Sequence, residues 1–288
     1  MERKTVDSRF VRDALPPRKE DGHKGDFGKV LVVGGAVGYT GAPYLTAAAA
    51  VRSGCGLVYL GVPDGIWPVE AVKCVSAMPF PLPERNGKLR ESAVEGILEK
   101  LSGCDVLALG PGLGRSDDTA RLVWALLERT EKAVVLDADG INALEGHIDV
   151  LDRRRGRVTI LTPHDGEFAR IGGVVTADRP ACAHAFAAAH GCTLVLKGHR
   201  TVTAGGDGSL FVNTTGGSGL AKGGSGDVLT GVVASLLAQG AAPTEAAAAA
   251  VWLHGRAGDL AAAELTAYAM TPEDVLARLP KAFLEVLE

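Results

Sequence analysis

A glycine-rich segment in the last third of the chain has the composition of an anion-binding turn. It runs from Gly216 to Asp227 and leads directly into the apolar stretch Val228–Leu237. The first turn of a helix presents unpaired backbone N–H groups and about half a positive charge, and glycine has no Cβ to keep phosphate oxygens away. The segment therefore predicts a phosphate-binding turn at a helix N-terminus. It is not a Walker A loop, because Lys222 is followed by Gly223 where that motif needs Ser or Thr.

Asp227 closes this turn, and its carboxylate has two interpretations. It could be an N-cap that accepts hydrogen bonds from first-turn amides. It could instead take a proton from a nucleophilic hydroxyl, since a carboxylate beside a phosphate is otherwise repelled. The turn alone favours neither interpretation. We expect the helix dipole to keep Asp227 ionised and weakly basic, which suits phosphoryl transfer, where positioning matters more than base strength.

Four other short segments place glycine or polar residues directly after predicted strands. They are Gly110–Gly114, Asp137–Asp139, Thr162–Glu167 and Lys197-Gly198. Ligands of open parallel sheets bind outside the carboxyl ends of the strands, so these segments are expected to meet at one cleft. Each is weak evidence alone, because a glycine turn is more often only a turn and a single histidine is usually structural. Their shared position is what makes them candidates.

The elements that would position these segments alternate between short apolar strands and helices, as in βαβ units around a mostly parallel sheet. The predicted strands are Lys29–Val33, Leu57–Val62, Val106–Leu109, Ala133–Leu136, Val158–Leu161 and Thr193–Leu196, with a hairpin of Thr201–Ala204 and Leu210–Asn213. The predicted helices are Ala42–Arg52, Glu91–Leu101, Thr119–Glu128, Pro180–His190, Asp227–Gln239, Thr244–Glu264 and Pro272–Leu287. The proline-containing segment Met78–Lys88 is expected to be a mobile surface loop. The sequence thus predicts one α/β domain over residues 1–288, with helices on both faces of the sheet.

Composition narrows the class of protein. Of the 288 residues 47% are apolar, which is enough for a large core, and 38 are glycine. The net charge of −4 and the lack of a long Lys/Arg run argue against nucleic-acid binding. The short cluster Arg153–Arg155 is expected to be a solvated turn. No apolar stretch reaches the roughly 18 residues of a membrane span, and no apolar signal segment follows Met1, so we expect a soluble cytoplasmic protein.

The cysteine content agrees with a cytoplasmic location. The five cysteines form no C-x-x-C pair and are expected to be reduced, mostly buried thiols. The grouping of Cys182, His184 and Cys192 fits no zinc spacing, so no protein-bound metal is predicted.

Taken in order along the chain, the motifs resemble those of the ADP-dependent NAD(P)H-hydrate dehydratases of the ribokinase-like superfamily. The segments that carry the resemblance are His23–Gly28, Gly41–Pro43, Gly110–Gly114, Leu136–Asp139, Thr162–His164, Lys197-Gly198 and Ala221–Gly231. The resemblance implies a ribokinase-like fold and a repair reaction. The S epimer of hydrated NADH or NADPH would lose water while ADP is split to AMP and phosphate. Phosphorylation would convert the ring hydroxyl, a poor leaving group, into a good one.

The resemblance also implies roles for individual residues. Asp227 would hold and deprotonate the hydroxyl, and the amides of Gly224, Ser225 and Gly226 would stabilise the transferring phosphoryl group. The hydrated dinucleotide would contact Ala42, Gly112 or Gly114, His164 and Asp227. The AMP part of the nucleotide would contact Lys197, Gly198, His199, Arg200, Thr201 and Gly226. Mg²⁺ is expected with the phosphates, without a dedicated protein cage, and the assembly is expected to be a homotetramer.

Three positions depart from the family pattern. Gly217-Ser218 stands where the family usually has Asn-Pro, and the loss of proline is expected to loosen the phosphate turn. Asp165 replaces a proline and would either raise the pKa of His164 or face solvent. Gly140 replaces an alanine.

Two other functions remain open at this point. A ribokinase-like kinase for a vitamin-precursor alcohol would use the same turn and Asp227 but release a stable phosphate ester. A binding module could keep the fold without catalysis, although the intact segment Gly224–Asp227 argues against it. Some relatives carry an additional epimerase domain, for which we expect no room here because the resemblance starts near residue 20.

Overall fold

The computed structural model describes residues 2–288 as an α/β protein. The strands in this range are Lys4–Thr5 (β1), Lys29–Val33 (β2), Leu57–Pro63 (β3), Met78–Leu82 (β4), Glu84–Arg85 (β5), Lys88–Leu89 (β6), Val106–Leu109 (β7), Ala133–Leu136 (β8), Thr159–Leu161 (β9), Thr193–Leu196 (β10), Val202–Ala204 (β11) and Leu210–Val212 (β12). The helices are Ser8–Ala14 (α1), Gly41–Arg52 (α2), Trp67–Lys73 (α3), Val94–Ser102 (α4), Asp117–Arg129 (α5), Asp139–Asn142 (α6), Asp149–Arg153 (α7), Asp165–Arg170 (α8), Arg179–His190 (α9), Ser225–Ala238 (α10), Pro243–Ala269 (α11) and Pro272–Leu287 (α12).

One ten-stranded sheet forms the centre, in the order β1-β12-β11-β10-β9-β8-β7-β2-β3-β4. Neighbouring strands from β10 through β4 are parallel, whereas β11 pairs antiparallel with both β10 and β12. The mostly parallel sheet and the hairpin of β11 and β12 were both predicted, and both are confirmed.

Helices cover both faces of the sheet, which explains why its central strands are apolar at most positions. In β2, Val30 and Val32 belong to one hydrophobic core, together with side chains from α2, α10, α11 and α12. Leu31 and Val33 point to the other core, with side chains from α4, α5 and α9. Successive strand residues face opposite sides, so a strand buried on both faces needs apolar residues throughout.

The segment Met78–Lys88 is not the mobile surface loop that its prolines suggested. Its first half is strand β4, which pairs in parallel with β3, placing Pro79 beside Leu60 and Pro81 beside Val62. β4 lies at the edge of the sheet, so only one side of it pairs with another strand. Its prolines, which have no backbone N–H, can therefore be accommodated on the unpaired side. The second half contributes the small hairpin of β5 and β6.

The arginine cluster is also not simply a solvated turn. Arg153 and Arg155 are exposed, but Arg154 is only 1% exposed. Its guanidinium donates to the carbonyl oxygens of Leu127 at 2.7 Å, Thr130 at 2.8 Å and Lys132 at 3.0 Å. A buried arginine is tolerated when its donors are paired in this way. The prediction holds for its two neighbours and is wrong for Arg154.

The loops that follow the parallel strands meet at one edge, as predicted. The amide of Asp137 donates to Leu109 O at 3.1 Å, and that of Lys197 donates to Pro163 O at 2.8 Å.

No helix among residues 2–288 is long and apolar enough to cross a membrane. The five cysteines in this range are unpaired, and Cys55, Cys104 and Cys192 are buried.

Candidate active site

The predicted phosphate turn ends at the N-terminus of α10. Gly224 is the N-cap residue, with φ of 99°, and helix α10 starts at Ser225. A Cβ at Gly224 would lie 2.9 Å from both Leu45 Cδ1 and Pro272 Cγ, so backbone conformation and packing both require glycine. Asp227 is the third residue of the helix, and no side-chain cap is present. The N-cap interpretation of Asp227 is therefore wrong.

A cleft of about 660 Å³ opens at this turn. Nine residues predicted to act in catalysis or binding line it: His164, Lys197, Gly198, His199, Thr201, Gly224, Ser225, Gly226 and Asp227. Leu220, Leu229 and Val251 give one wall an apolar surface. Arg200, Ala42, Gly112 and Gly114 are not part of this lining. A cleft with an apolar wall and a few converging polar groups is the usual form of a small-molecule site.

At the floor of the cleft, one ammonium is surrounded by carboxylates. Lys197 Nζ lies 2.9 Å from Asp137 Oδ1 and 3.8 Å from Glu167 Oε2. Asp137 is buried and also accepts from the hydroxyls of Thr162 at 2.8 Å and Thr230 at 2.7 Å. Burial is the largest single effect on the pKa of Lys197 and lowers it, but the neighbouring carboxylates outweigh it, so the net pKa is raised. Lys197 is therefore a fixed positive charge.

Asp227 is partly buried beside this cluster. Burial raises the pKa of Asp227 to about 7, the negative charge of Asp137 adds to the rise, and Lys197 opposes it. The expectation of a weakly basic, fully ionised carboxylate is wrong, because desolvation outweighs the helix dipole. A carboxyl group with a pKa near neutrality can accept and release a proton.

His164 caps helix α8 at the rim of the cleft. Its Nδ1 accepts from the amides of Gly166 at 3.0 Å and Glu167 at 3.2 Å, while its own amide donates to Glu167 Oε2 at 2.9 Å. Acceptance at Nδ1 leaves Nε2 as the ring donor, and 59% of the side chain is exposed. Asp165 pairs with Arg179 at 2.5 Å. The structure thus gives His164 a structural role, with its Nε2 lying 3.5 Å from Glu167 Oε1.

The other predicted substrate residues form a second group behind Asp227. Ala42 lies in the first turn of α2, and Thr46 Oγ1 donates both to Ala42 O at 3.0 Å and to Asp227 O at 3.1 Å. A Cβ at Gly112 would lie 3.1 Å from Ala42 Cβ. The structure therefore brings Ala42 and Gly112 together beside the backbone of Asp227, outside the cleft itself. Gly114 follows in the same turn.

Three acidic residues were within the strand-end segments but were not assigned a role. Asp137 and Glu167 hold Lys197, and Asp139 Oδ2 accepts from the amide of Gly114 at 2.9 Å. Their position after predicted strands was a usable signal. Their grouping around one lysine is a tertiary contact that spacing along the chain does not encode.

The residues present fit a magnesium ion that arrives with phosphate. No group of three or more His, Cys, Asp or Glu side chains suited to a metal occurs among residues 2–288. Mg²⁺ often keeps several waters and uses one or two carboxylates plus substrate phosphates. Asp137 and Asp227 both line the cleft, and their carboxylates would suit such an ion.

Comparison with known proteins identifies the family of the chain. A family model described as NAD(P)H-hydrate dehydratase matches residues 30–281. The bifunctional NAD(P)H-hydrate repair enzyme Nnr of Moorella thermoacetica is 44% identical over 283 residues, which are 96% of this chain and 53% of that protein. The ADP-dependent (S)-NAD(P)H-hydrate dehydratase of Neisseria meningitidis is 42% identical over 84% of this chain and 80% of its own length. The chain spans about half the length of the bifunctional relatives it matches.

Solved structures agree with these relatives. An ADP/ATP-dependent NAD(P)H-hydrate dehydratase of Bacillus subtilis, co-crystallised with ATP and Mg²⁺, matches with a TM-score of 0.81 and 29% identity over 98% of each chain. A ribokinase-like superfamily protein of Enterococcus faecalis matches with a TM-score of 0.85 and 26% identity over 99% of this chain and 96% of its own. The fold is therefore ribokinase-like, and the chain belongs to the NAD(P)H-hydrate dehydratase family.

Proposed function

We propose that this protein dehydrates the S epimer of hydrated NADH or NADPH while splitting ADP into AMP and phosphate, and so restores the reduced cofactor. The observation that carries the proposal is the position of Asp227. A carboxyl group with a pKa of about 7 lies in the same helical turn as the predicted phosphate-binding amides. This arrangement suits transfer of a phosphoryl group to a hydroxyl whose proton must be removed.

The nucleotide would lie along the cleft with its terminal phosphate at the start of α10. The dipole of that helix and the ammonium of Lys197 both favour the negative charge there. A Cβ at Gly226 would lie 3.2 Å from Lys197 Nζ, so the ammonium and the backbone of Gly226 are close enough to contact one phosphoryl group. This assigns Lys197 to the phosphates, while Gly198 through Thr201 and the apolar wall would hold the rest of the nucleotide.

In the first step the ring hydroxyl attacks the terminal phosphorus of ADP. Asp227 accepts the hydroxyl proton, a P–O bond forms to the ring, and the P–O bond to AMP breaks. Of the predicted oxyanion donors, the amide of Ser225 already donates to Lys222 O at 3.2 Å. The amides of Gly224 and Gly226 are therefore the donors that we assign to the transferring group.

In the second step the phosphate ester is eliminated. The lone pair of the ring nitrogen expels phosphate, and the adjacent ring carbon then gives up a proton to the departing phosphate or to water, which restores the double bond. Mg²⁺, when bound with the nucleotide, would supply Lewis-acid stabilisation of charge on the phosphate oxygens. The protein's part is to hold the ring against Ala42 and Gly112, with His164 Nε2 at the rim as a further donor.

A turnover assay tests the proposal. Hydrated NADH or NADPH plus ADP should recover the absorbance of the reduced nicotinamide and release AMP and phosphate in equal amounts. ATP should be assayed in parallel, because the Bacillus subtilis relative is named ADP/ATP-dependent. A kinase for another alcohol would leave the absorbance unchanged and give a stable phosphate ester. Nucleotide binding without any turnover would indicate a binding module instead.

Other assignments remain predictions. A cytoplasmic location and the treatment of residues 1–288 as one domain come from the sequence pattern, and a homotetrameric assembly comes from the resemblance.

A further inference from the structure

The phosphate turn contains its own lysine, Lys222, whose side chain is already engaged. Lys222 Nζ donates to the carbonyl oxygens of Tyr268 at 2.7 Å and Met270 at 2.5 Å. These carbonyls lie after Thr266, whose φ of 70° interrupts α11, in the last residues before α12 begins. Carbonyl oxygens beyond the last regular turn of a helix need acceptor contacts from outside that helix. A lysine ammonium has three donors, so this contact uses two of them.

The same turn packs tightly against the junction between α11 and α12. A Cβ at Gly219 would lie 2.3 Å from Met270 Sδ and 3.2 Å from Ala267 Cα, and one at Gly224 would lie 2.9 Å from Pro272 Cγ. Two positions of the turn thus contact this junction closely, and Lys222 lies between them. The turn lacks the proline that the family pattern led us to expect, so these contacts with α11 and α12 have to supply its rigidity.

We propose that Lys222 is a positioning residue, whose ammonium fixes the phosphate-binding turn to the end of α11, and that the positive charge contacting phosphate comes from Lys197. The position of Lys197 supports this assignment of separate roles to the two lysines, since Lys197 lies in the cleft beside Gly226 and is held there by Asp137. The expected effect on nucleotide binding rests on the proposed function, whereas the attachment of the turn to the end of α11 is independent of it.

The test measures amide hydrogen exchange of residues 216–226 in the full, ligand-free chain, together with ADP binding by calorimetry at several salt concentrations. In Lys222→Met we expect exchange in the turn to rise about tenfold and ADP to bind about tenfold more weakly, as for the loss of hydrogen bonds from a charged donor. The salt dependence of ADP binding should stay that of the wild type, because the charge facing phosphate is retained. Lys281→Met, which removes an exposed lysine from α12, should change neither measurement.

Lys222→Arg distinguishes the two roles if the methionine variant does not fold. Arginine keeps the charge and can donate to both carbonyls, so wild-type exchange and wild-type ADP affinity are expected. The proposal is overturned if Lys222→Met exchanges like the wild type while its ADP binding loses salt dependence. It is also overturned if Lys222→Arg exchanges normally but binds ADP tenfold more weakly. Because the exchange measurement needs no substrate, failure to turn over hydrated NADH would reject the proposed function and leave this inference standing.

Discussion

Two opposing effects of different size set the pKa of Asp227. A helix N-terminus stabilises a carboxylate by about 0.3–1 kcal/mol. A rise in pKa from 3.8 to about 7 corresponds to roughly 4 kcal/mol in the opposite direction. Burial and the charge of Asp137 therefore determine the behaviour of this residue, and its place in the first helical turn does not. The same balance allows the Asp227 carboxyl group to gain or lose a proton near neutral pH.

Replacement of Asp227 by asparagine should separate catalysis from binding. A neutral amide at this position could not accept the hydroxyl proton, so we expect kcat with hydrated NADH to fall by about 10²- to 10⁴-fold. ADP affinity should stay within a few-fold, because the backbone amides and Lys197 are unchanged. Stopped-flow absorbance and calorimetry would measure the two quantities, with Asp13→Asn on the exposed face of α1 as the control. Undiminished turnover would show that another group takes the proton.

The same substitution should make the protein more stable at alkaline pH. The pKa of Asp227 is higher in the folded chain than its value of 3.8 in the unfolded chain. Its contribution to stability is therefore full below pH 3.8 and is lost as pH rises through about 7. Asp227→Asn lacks this loss, so its free energy of unfolding should exceed that of the wild type by about 2–4 kcal/mol at about pH 8 and by little at about pH 4.

Urea denaturation of both proteins at a series of pH values would measure this difference. A constant difference between the two proteins across that range would contradict the raised pKa. The acidic limb of kcat/KM for the wild type should also lie near pH 7, since kcat/KM reports groups of the free enzyme.

At the scale of elements, the close approach of α2 and α10 positions Asp227. A Cβ at Gly231 would lie 2.1 Å from Thr46 O, and the side chain of Thr46 is bonded to Asp227 O. The absence of a side chain in the middle of α10 thus allows α2 to contact the first turn of the same helix. Glycine inside a helix usually costs stability relative to alanine, and here the packing reverses that preference.

Gly231→Ala should consequently destabilise the protein, by about 1–3 kcal/mol, and lower kcat through displacement of the α2 contact. Gly96→Ala is the matched control, since a Cβ there meets nothing within 4 Å inside helix α4. That substitution should be neutral or stabilise by up to about 1 kcal/mol. Chemical denaturation of both variants measures the two effects. An equal response of the two variants would mean that the helices can move apart without cost.

Elements with a clear hydrophobic pattern could be predicted from the sequence, and those decided by neighbours could not. Strand β2 and helix α12 have the predicted bounds, because a continuous apolar run specifies the strand and helical apolar spacing specifies the helix. Strand β4 was missed because prolines normally exclude a strand, and only its place at the sheet edge makes them acceptable. The phosphate turn was predicted from local chemistry. The pairing of Asp137 and Glu167 with Lys197 joins residues distant in sequence, which no local pattern specifies.

At the scale of the molecule, the candidate site and the buried Arg154 lie at opposite ends of the parallel strands. The candidate site occupies the carboxyl ends of β8, β9 and β10, where Asp137 and Lys197 lie. Arg154 lies at the amino ends of β8 and β9, bonded to the carbonyl of Lys132 just before β8 and to the hydroxyl of Thr159 in β9. Burial lowers the pKa of Arg154 to about 10, which still leaves it charged at neutral pH. The two edges should therefore respond independently to substitution.

Arg154→Met tests this separation. It removes the donors that several buried carbonyl oxygens share, so we expect a loss of about 3–5 kcal/mol in the free energy of unfolding. The neighbouring substitution Arg153→Met breaks only exposed ion pairs and should cost no more than about 1 kcal/mol. Because the carboxyl edge of the sheet is untouched, kcat and KM of Arg154→Met measured well below its Tm should equal those of the wild type. A fall in kcat at that temperature would show that the strands transmit the change from one edge to the other.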